Sequence, residues 1–245
     1  MIHIVGRDSL PFMAAFDDVS KALEFDCDVY LGAFASMQIT GQVVYNMEYL
    51  HDDAPLVRAG YVDTLRRNTV IDYNRQNVQW LAARGIEAFY MPYGYHICLE
   101  RPVDVGHDID VLFIGTTHHR RRLKVLKSLS SKCNLVVASG VYGSELDVLR
   151  ARSKVHLNMH HAEGQPLEVV RLNYLMANHC TVVSEQGCDG GVNKAYEDGL
   201  IFADYSDLVD ACLSVSPMDG YEVIKSMPQR CGSANKWIKE KLCLQ

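Results

Sequence analysis

The chain contains no run of about 18 uninterrupted apolar residues, the length a membrane-spanning helix needs. Its opening, MIHIVGRDSLPF, holds no apolar stretch long enough for a secretory leader, so the expected location is the cytoplasm. None of the eight cysteines (Cys27, Cys98, Cys133, Cys180, Cys188, Cys212, Cys231, Cys243) forms a C-x-x-C pair. That excludes a compact disulfide framework and a zinc knuckle, and reduced thiols in a cytosol fit. Basic charge is not in excess: 24 Lys and Arg stand against 30 Asp and Glu, a formal net charge of −6. No global field draws such a chain to nucleic acid or an anionic membrane, while the run Arg120–Lys127 leaves a local basic patch open. Low-complexity tracts and short repeats are absent as well.

What is there is an ordinary globular composition, 48% apolar and 22% charged over 245 residues, enough for a substantial core. Short apolar runs alternate with helical patterns almost throughout. Strands are expected at Ile2–Val5, Asp28–Leu31, Val43–Asn46, Val70–Asp72, Ala88–Met91, Val111–Ile114, Leu135–Ala138, Val155–Leu157, Thr181–Ser184 and Leu200–Phe202. Helices are expected between many of them, among them Asp17–Glu24, Arg75–Arg84, Arg120–Ser130, Ser144–Arg152, Glu168–Ala177 and Asp207–Val215. Such alternation predicts an α/β protein of parallel sheets covered by helices on both faces. The seam MPYGYHICLERPVDVGHDID carries Pro92, Gly94, Pro102 and Gly106, and after it the pattern restarts with DVLFIG, much as the chain began with IHIVG. Two Rossmann-like halves are therefore expected, about 1–97 and 108–230, with a last amphipathic helix over 231–245.

DVLFIGTTHHRRRLKVL reads as a buried strand, a small-residue turn and a basic helix start. At the end of a parallel strand, such a turn lets backbone amides face a ligand, and the helix N-terminus favours an anion. Gly115 permits the turn, and Thr116 and Thr117 add hydroxyls. Arg120, Arg121 and Arg122 bring guanidinium forks that match phosphate geometry, Arg121 being the first choice. Three arginines in the first turn of a solvated helix are the plain alternative. The loop is neither a Walker A motif nor a G-x-G-x-x-G fingerprint.

In order along the chain stand YNMEYL (45–50), DYNRQN (72–77), MPYGY (91–95), DVLFIGTTHHRRR (110–122), GVYGSELDVLRARSKVHLNMHH (140–161) and EVVRLNYLMANHCTVVSE (168–185). Together they resemble the two-Rossmann GT-B glycosyltransferases, in the "glycosyl transferases group 1" and CgeB-like branch. The resemblance implies two Rossmann-like domains facing each other across a cleft. Nucleotide-sugar binding falls to the C-terminal half and the acceptor to a shortened N-terminal half. The retaining-enzyme spacing of two glutamates seven residues apart is not matched. Glu163 and Glu168 are five apart, and NHCTVV lacks the expected Gly and Pro, so retaining or inverting chemistry is not carried over.

Within that frame, Glu168 at a helix start suits ribose hydroxyls, or simply the helix dipole. Arg171 serves a diphosphate or pairs with Glu168 three residues away. Asn158 and His160, at a strand exit, suit sugar or phosphate. Val141 and Tyr142 wrap a base or merely precede a helix. Glu185, with Gln186, reaches toward sugar hydroxyls. In the first half, Gly6, Arg7, Asp8 and Ser9 follow the first strand. Asp8 is the candidate general base, or a turn cap, and Glu48 and Asp72 are further candidates at the same edge. Tyr93 and Tyr95 belong to the hinge. No cofactor and no metal are expected; His156, His160 and His161 lack the carboxylates of a ligand set. The expected activity is metal-independent transfer of a hexosyl or pentosyl group from a nucleoside diphosphate sugar, UDP by family habit, to a hydroxyl. The acceptor stays open among saccharide, lipid, protein and a modified base in DNA. A nucleotide-sugar epimerase or hydrolase, or a non-catalytic nucleotide-sugar-binding module, are the alternatives.

Overall fold

The structure, a computed structural model, describes residues 1–6 and 14–243. The chain divides into two compact units, Met1–Gly94 with Gln229–Gln245, and Tyr95–Pro228.

The first unit holds strands β1 (Ile2–Ile4), β2 (Val29–Leu31), β3 (Val43–Asn46), β4 (Thr69–Asp72) and β5 (Ala88–Tyr90), hydrogen-bonded in that order as a parallel sheet. All four residues of β3 are buried, as expected of a central strand covered on both faces. Helices α1 (Ala15–Lys21), α2 (Pro55–Arg58), α3 (Tyr61–Arg66) and α4 (Arg75–Ala82) connect the strands. Pro55 opens α2, where its missing N–H costs nothing. Asn74 caps α4, its Oδ1 accepting from the amides of Gln76 (2.7 Å) and Asn77 (3.2 Å).

The second unit holds β6 (Ile109–Ile114), β7 (Leu135–Ala138), β8 (Ser153–Asn158), β9 (Val182–Ser184) and β10 (Ile201–Phe202). Helices α5 (Arg120–Ser130), α6 (Gly143–Ala151), α7 (Val169–Met176), α8 (Gly190–Tyr196), α9 (Leu208–Ser214) and α10 (Tyr221–Lys225) surround them. Its strand order is β10-β9-β8-β6-β7, again all parallel. The chain leaves β6 for β7 on one side, then crosses back so that β8 pairs the other side of β6, Val111 opposite Val155 and Phe113 opposite Leu157. Connections from β6 and β8 thus depart in opposite directions, which opens a crevice at their C-terminal ends. Beneath it lies a core of Val111, Phe113, Val125, Leu129, Leu157, Met159, Val183 and Leu208, each large side chain contributing about 1.5–3 kcal/mol.

The C-terminal helix α11 (Gly232–Leu242) belongs to the first unit rather than standing apart. Its Trp237 ring lies 5.5 Å from Phe89, and Lys239 pairs with Asp26 (2.6 Å) and Lys241 with Glu87 (2.5 Å).

Candidate functional site

The crevice of the second unit is built from the exits of three strands. After β6, Gly115 takes φ 150°, and a Cβ there would lie 3.2 Å from the Phe113 ring, so the turn into α5 requires glycine. After β8 come Asn158, Met159 and His160; after β9 comes Glu185. Gly187 lets the segment before α7 approach closely, because a Cβ on it would sit 2.5 Å from the backbone nitrogen of Leu167. That approach brings Glu168, at the N-cap of α7, against the β8 exit.

Glu168 is the hub. Its Oε2 accepts from Asn158 Nδ2 at 2.9 Å, and its Oε1 faces His160 Nδ1 at 3.1 Å. Asn158 also donates to Ser184 Oγ (2.9 Å), and its Oδ1 accepts from Arg171 Nη1 (2.8 Å). The other ring nitrogen of His160 faces the Gln186 carbonyl at 3.0 Å. Both of its partners are acceptors only, so both ring nitrogens carry protons and His160 is an imidazolium. The titration shifts agree. Burial by itself would lower His160, but the bond to Glu168 raises it. Burial by itself would raise Glu168, but His160 and the Arg171 charge bring it down to about 2.

Arg121 and Arg122 take different directions from the same turn. Arg121 forks onto Glu185, Nη1 to Oε2 at 2.6 Å and Nη2 to Oε1, and Nη1 also reaches the His160 carbonyl at 3.2 Å. Its guanidinium lies 3.9 Å over the Tyr205 ring. Glu185 also accepts from the His160 amide at 2.9 Å. Arg122 is buried and donates to the Met159 carbonyl from Nε (3.2 Å) and Nη2 (2.9 Å), and to the carbonyl and Oγ1 of Thr116 (both 3.3 Å).

Several sequence expectations therefore change in detail. Arg121, the first choice for phosphate, has its fork engaged by Glu185, and Glu185 is an ion-pair partner rather than an open acceptor. Arg171 and Glu168 form no direct ion pair; Asn158 stands between them. Arg171 donates only through Nη1, and among the described residues its remaining donors are unengaged. Thr117 and Arg120 lie at the α5 start without a side-chain bond to the cluster among the described residues, and Arg120 is exposed. Val141 and Tyr142 are half-buried in the turn before α6, and no hydrogen bond ties them to the Glu168 cluster among the described residues. Sequence reasoning missed Tyr205, Ser184 and the anchoring role of Arg122. Tyr205 had a faint signal, an aromatic shortly after the β10 strand, at the same sheet edge.

A cleft of about 770 Å³ opens at the opposite, N-terminal strand edge of this unit. Its Lys154 is paired with Asp110 (2.7 Å) and its Arg150 donates to the Arg101 carbonyl, so its cations are already engaged. The His156 ring borders it, held neutral by burial, which lowers it to about 4. Among the described residues no cluster of three His, Cys, Asp or Glu is placed to hold a metal ion, and no helix is long and apolar enough to cross a membrane.

No model of a known protein family matches the sequence. An uncharacterized protein of Acanthamoeba polyphaga mimivirus, L140, is 27% identical over 158 residues, 61% of this chain and 51% of that protein. The crystal structure of TarM aligns with 94% of this chain and 55% of its own, at 11% identity and a TM-score of 0.50. A TarM mutant in complex with Fondaparinux, alpha-GlcNAc-glycerol and UDP aligns over 83% of this chain and 51% of its own, at 10% identity and a TM-score of 0.49. The chain spans about half the length of each of these proteins. Two parallel-sheet α/β units matching TarM decide the architecture.

The fold is that of the GT-B glycosyltransferases.

In the first unit of this GT-B chain, Arg7, Asp8 and Ser9 lie outside the described residues, so the expected base Asp8 has no structural account. Asp72 is fully buried and accepts four hydrogen bonds, from Asn46, the Asn74 amide and twice from Asn77, which makes it a structural group rather than a proton acceptor for a ligand. Glu48 is half-buried beside it.

Proposed function

We propose that this chain is a glycosyltransferase that moves a sugar from a nucleoside diphosphate sugar to an acceptor hydroxyl, with the donor held in the second unit. The observation that carries the reading is the state of Glu168. Each of its carboxylate oxygens has one bond, to His160 or to Asn158, and each can accept one more. The side chain is 23% exposed, which leaves the carboxylate within reach of a ligand. Two fixed acceptors side by side match the vicinal hydroxyls of a ribose.

The charge around it suits a diphosphate. Arg122, Arg171 and the imidazolium of His160 surround Glu168, and the N-terminus of α5 adds its dipole. Arg171 is the group with donors to give, so the phosphate role expected of Arg121 passes to Arg171. A fixed positive field costs no reorganisation as charge develops on the leaving diphosphate. Those side chains do the work that a divalent cation does elsewhere, and metal-independent turnover is part of the proposal. UDP as the nucleotide rests on family habit, and the CgeB-like branch on the sequence motifs. The acceptor class includes saccharides and modified bases in DNA.

The test is incubation of the pure protein with UDP-sugars while UDP release is followed, alongside calorimetry with UDP. Release identifies turnover. Binding without release on any acceptor assigns the chain to the binding-module class, and absence of both ends the proposal.

A further inference from the structure

The cleft of about 770 Å³ lies at the N-terminal ends of β6, β8 and β9, whereas the Glu168 crevice lies at their C-terminal ends. Its volume is that of a small-molecule site. Val105, Val155, Cys180, Cys212, Leu213 and Val215 form much of its wall. Burial pushes the thiols of Cys180 and Cys212 up, to about 11 and about 12. Both therefore stay protonated and act as small apolar groups, not as nucleophiles or metal ligands. Val105 and Leu213 leave large apolar side chains open to water at this cleft.

The polar side chains of the wall are nearly all committed within the fold. Lys154 pairs with Asp110 (2.7 Å), which also accepts from the Asn134 amide (2.9 Å). Thr181 Oγ1 donates to the Met218 carbonyl (3.1 Å) and accepts from the Met218 amide (3.0 Å). Ser153 donates to the Leu149 carbonyl (2.7 Å), and Arg150 to the Tyr174 hydroxyl (3.1 Å) and the Arg101 carbonyl. His179 faces Asp219 at 2.8 Å, and the Asn178 amide is bonded through its oxygen and its nitrogen. An anion entering the cleft meets cations already paired, and a polyol meets side chains already bonded.

His156 is the exception. Its ring is buried and neutral, burial having lowered it to about 4. Nε2 faces the Arg150 carbonyl at 3.1 Å, and Nδ1 faces the Thr181 carbonyl at 3.4 Å. A neutral imidazole carries one N–H, and the shorter contact assigns it to Nε2. Nδ1 is then a lone pair set against a carbonyl oxygen, one that already accepts from the His156 amide at 2.9 Å. Among the described residues nothing donates to Nδ1. A buried acceptor without a donor is a cost to the fold, and a ligand with a donor removes it.

We propose that this cleft binds an uncharged, largely apolar aromatic molecule with one hydrogen-bond donor, of the phenol or indole type, and that His156 accepts that donor. The apolar wall supplies the area to bury, and the lone pair fixes the orientation. An aromatic ring makes favourable contacts with sulfur, and it strengthens an attached O–H or N–H as a donor. The site shares no residue with the Glu168 crevice, so it stands whether or not the chain transfers a sugar.

Calorimetry on the full chain compares phenol with toluene and indole with N-methylindole, the second of each pair lacking the donor. Phenol or indole is expected to bind saturably, and its donorless partner about tenfold more weakly, because the buried acceptor stays unmet. With isotope-labelled histidine, one unprotonated imidazole nitrogen should shift as that ligand saturates, and the signal should be missing from His156→Gln. Where His156→Gln does not fold, the paired-ligand comparison decides. Leu213→Asp, at an exposed position and checked by melting temperature, sets a charge in the apolar wall and should weaken binding about tenfold. Saturating UDP should leave the affinity unchanged. No saturable binding, equal affinity with and without the donor, wild-type affinity in Leu213→Asp, or displacement by UDP each overturns the site.

Discussion

The guanidinium fork of Arg121 lies against the carboxylate of Glu185, Nη1 to Oε2 at 2.6 Å, with 17% and 8% of the two side chains exposed. The pair ties the first turn of α5 to the exit of β9, across the crevice that the strand order opens. Removing one member leaves a nearly buried charge without its partner. Arg121→Ala is expected to destabilise the chain by about 3–5 kcal/mol in urea unfolding. Arg121→Met with Glu185→Leu together should lose much less than the sum of the single changes. Additive losses would show that the pair is not the unit the geometry describes.

Arg171 should carry the diphosphate contact. Arg171→Ala is expected to weaken UDP binding by about 1.5–3 kcal/mol, the range for a hydrogen bond to a charged group, with little change in melting temperature because the side chain makes one bond of its own. Calorimetry that finds Arg171→Ala at wild-type affinity would return the role to Arg120, the exposed arginine of the turn.

The bond between Glu168 and His160 makes stability depend on pH from both sides. Glu168 is lowered from 4.5 to about 2, so its contribution is present above about pH 4.5 and fades as pH falls through about 2. His160 is raised above 6.5, so its contribution is complete below that value and is lost as pH rises through the folded-state value. Glu168→Gln should therefore cost most between about pH 4.5 and 6.5, about 3 kcal/mol at one pKa unit per 1.36 kcal/mol. The penalty should shrink in stronger acid and at alkaline pH. A penalty independent of pH in urea titrations would mean that the pair is not charged.

The same variant tests ribose recognition. If Glu168 accepts the diol, wild type should bind a 2′-deoxy nucleotide about tenfold more weakly than the ribonucleotide, and the penalty should shrink in Glu168→Gln. Equal penalties in both proteins would take Glu168 out of the nucleotide site.

Turnover of a UDP-sugar should persist in EDTA, since the proposal assigns the diphosphate contact to Arg171 within the positive field of Arg122, His160 and the α5 N-terminus. Activity abolished by EDTA and restored by manganese would contradict that assignment.

The alternation of β-branched runs with amphipathic stretches was legible in the chain itself. All ten expected strands occur, and Arg120–Ser130 is a helix with the expected ends. These features depend on neighbours a few residues apart, which a linear pattern records. The short helices α2, α3 and α10 were not read, because segments of 4–6 residues span too few turns to display a period, and α8 opens on Gly190 and Gly191, poor helix formers. The turn at Gly115 and the importance of Glu168 were also visible, as a small-residue exit from a strand and a carboxylate at a helix start.

Which side chains meet was decided only in three dimensions. Arg120, Arg121 and Arg122 are adjacent in sequence, yet each step along a helix turns the side chain by about 100°. One therefore faces solvent, one Glu185 and one the Met159 carbonyl. Nothing local told which. Likewise, β8 pairs with β6 rather than β7, and that crossing alone places Asn158 and His160 beside the Gly115 turn and next to Glu185. The sequence by itself determined the elements, because backbone propensity and burial period are short-range. The site required the strand order, because its charges come from residues up to 64 positions apart that only the sheet brings within hydrogen-bond distance.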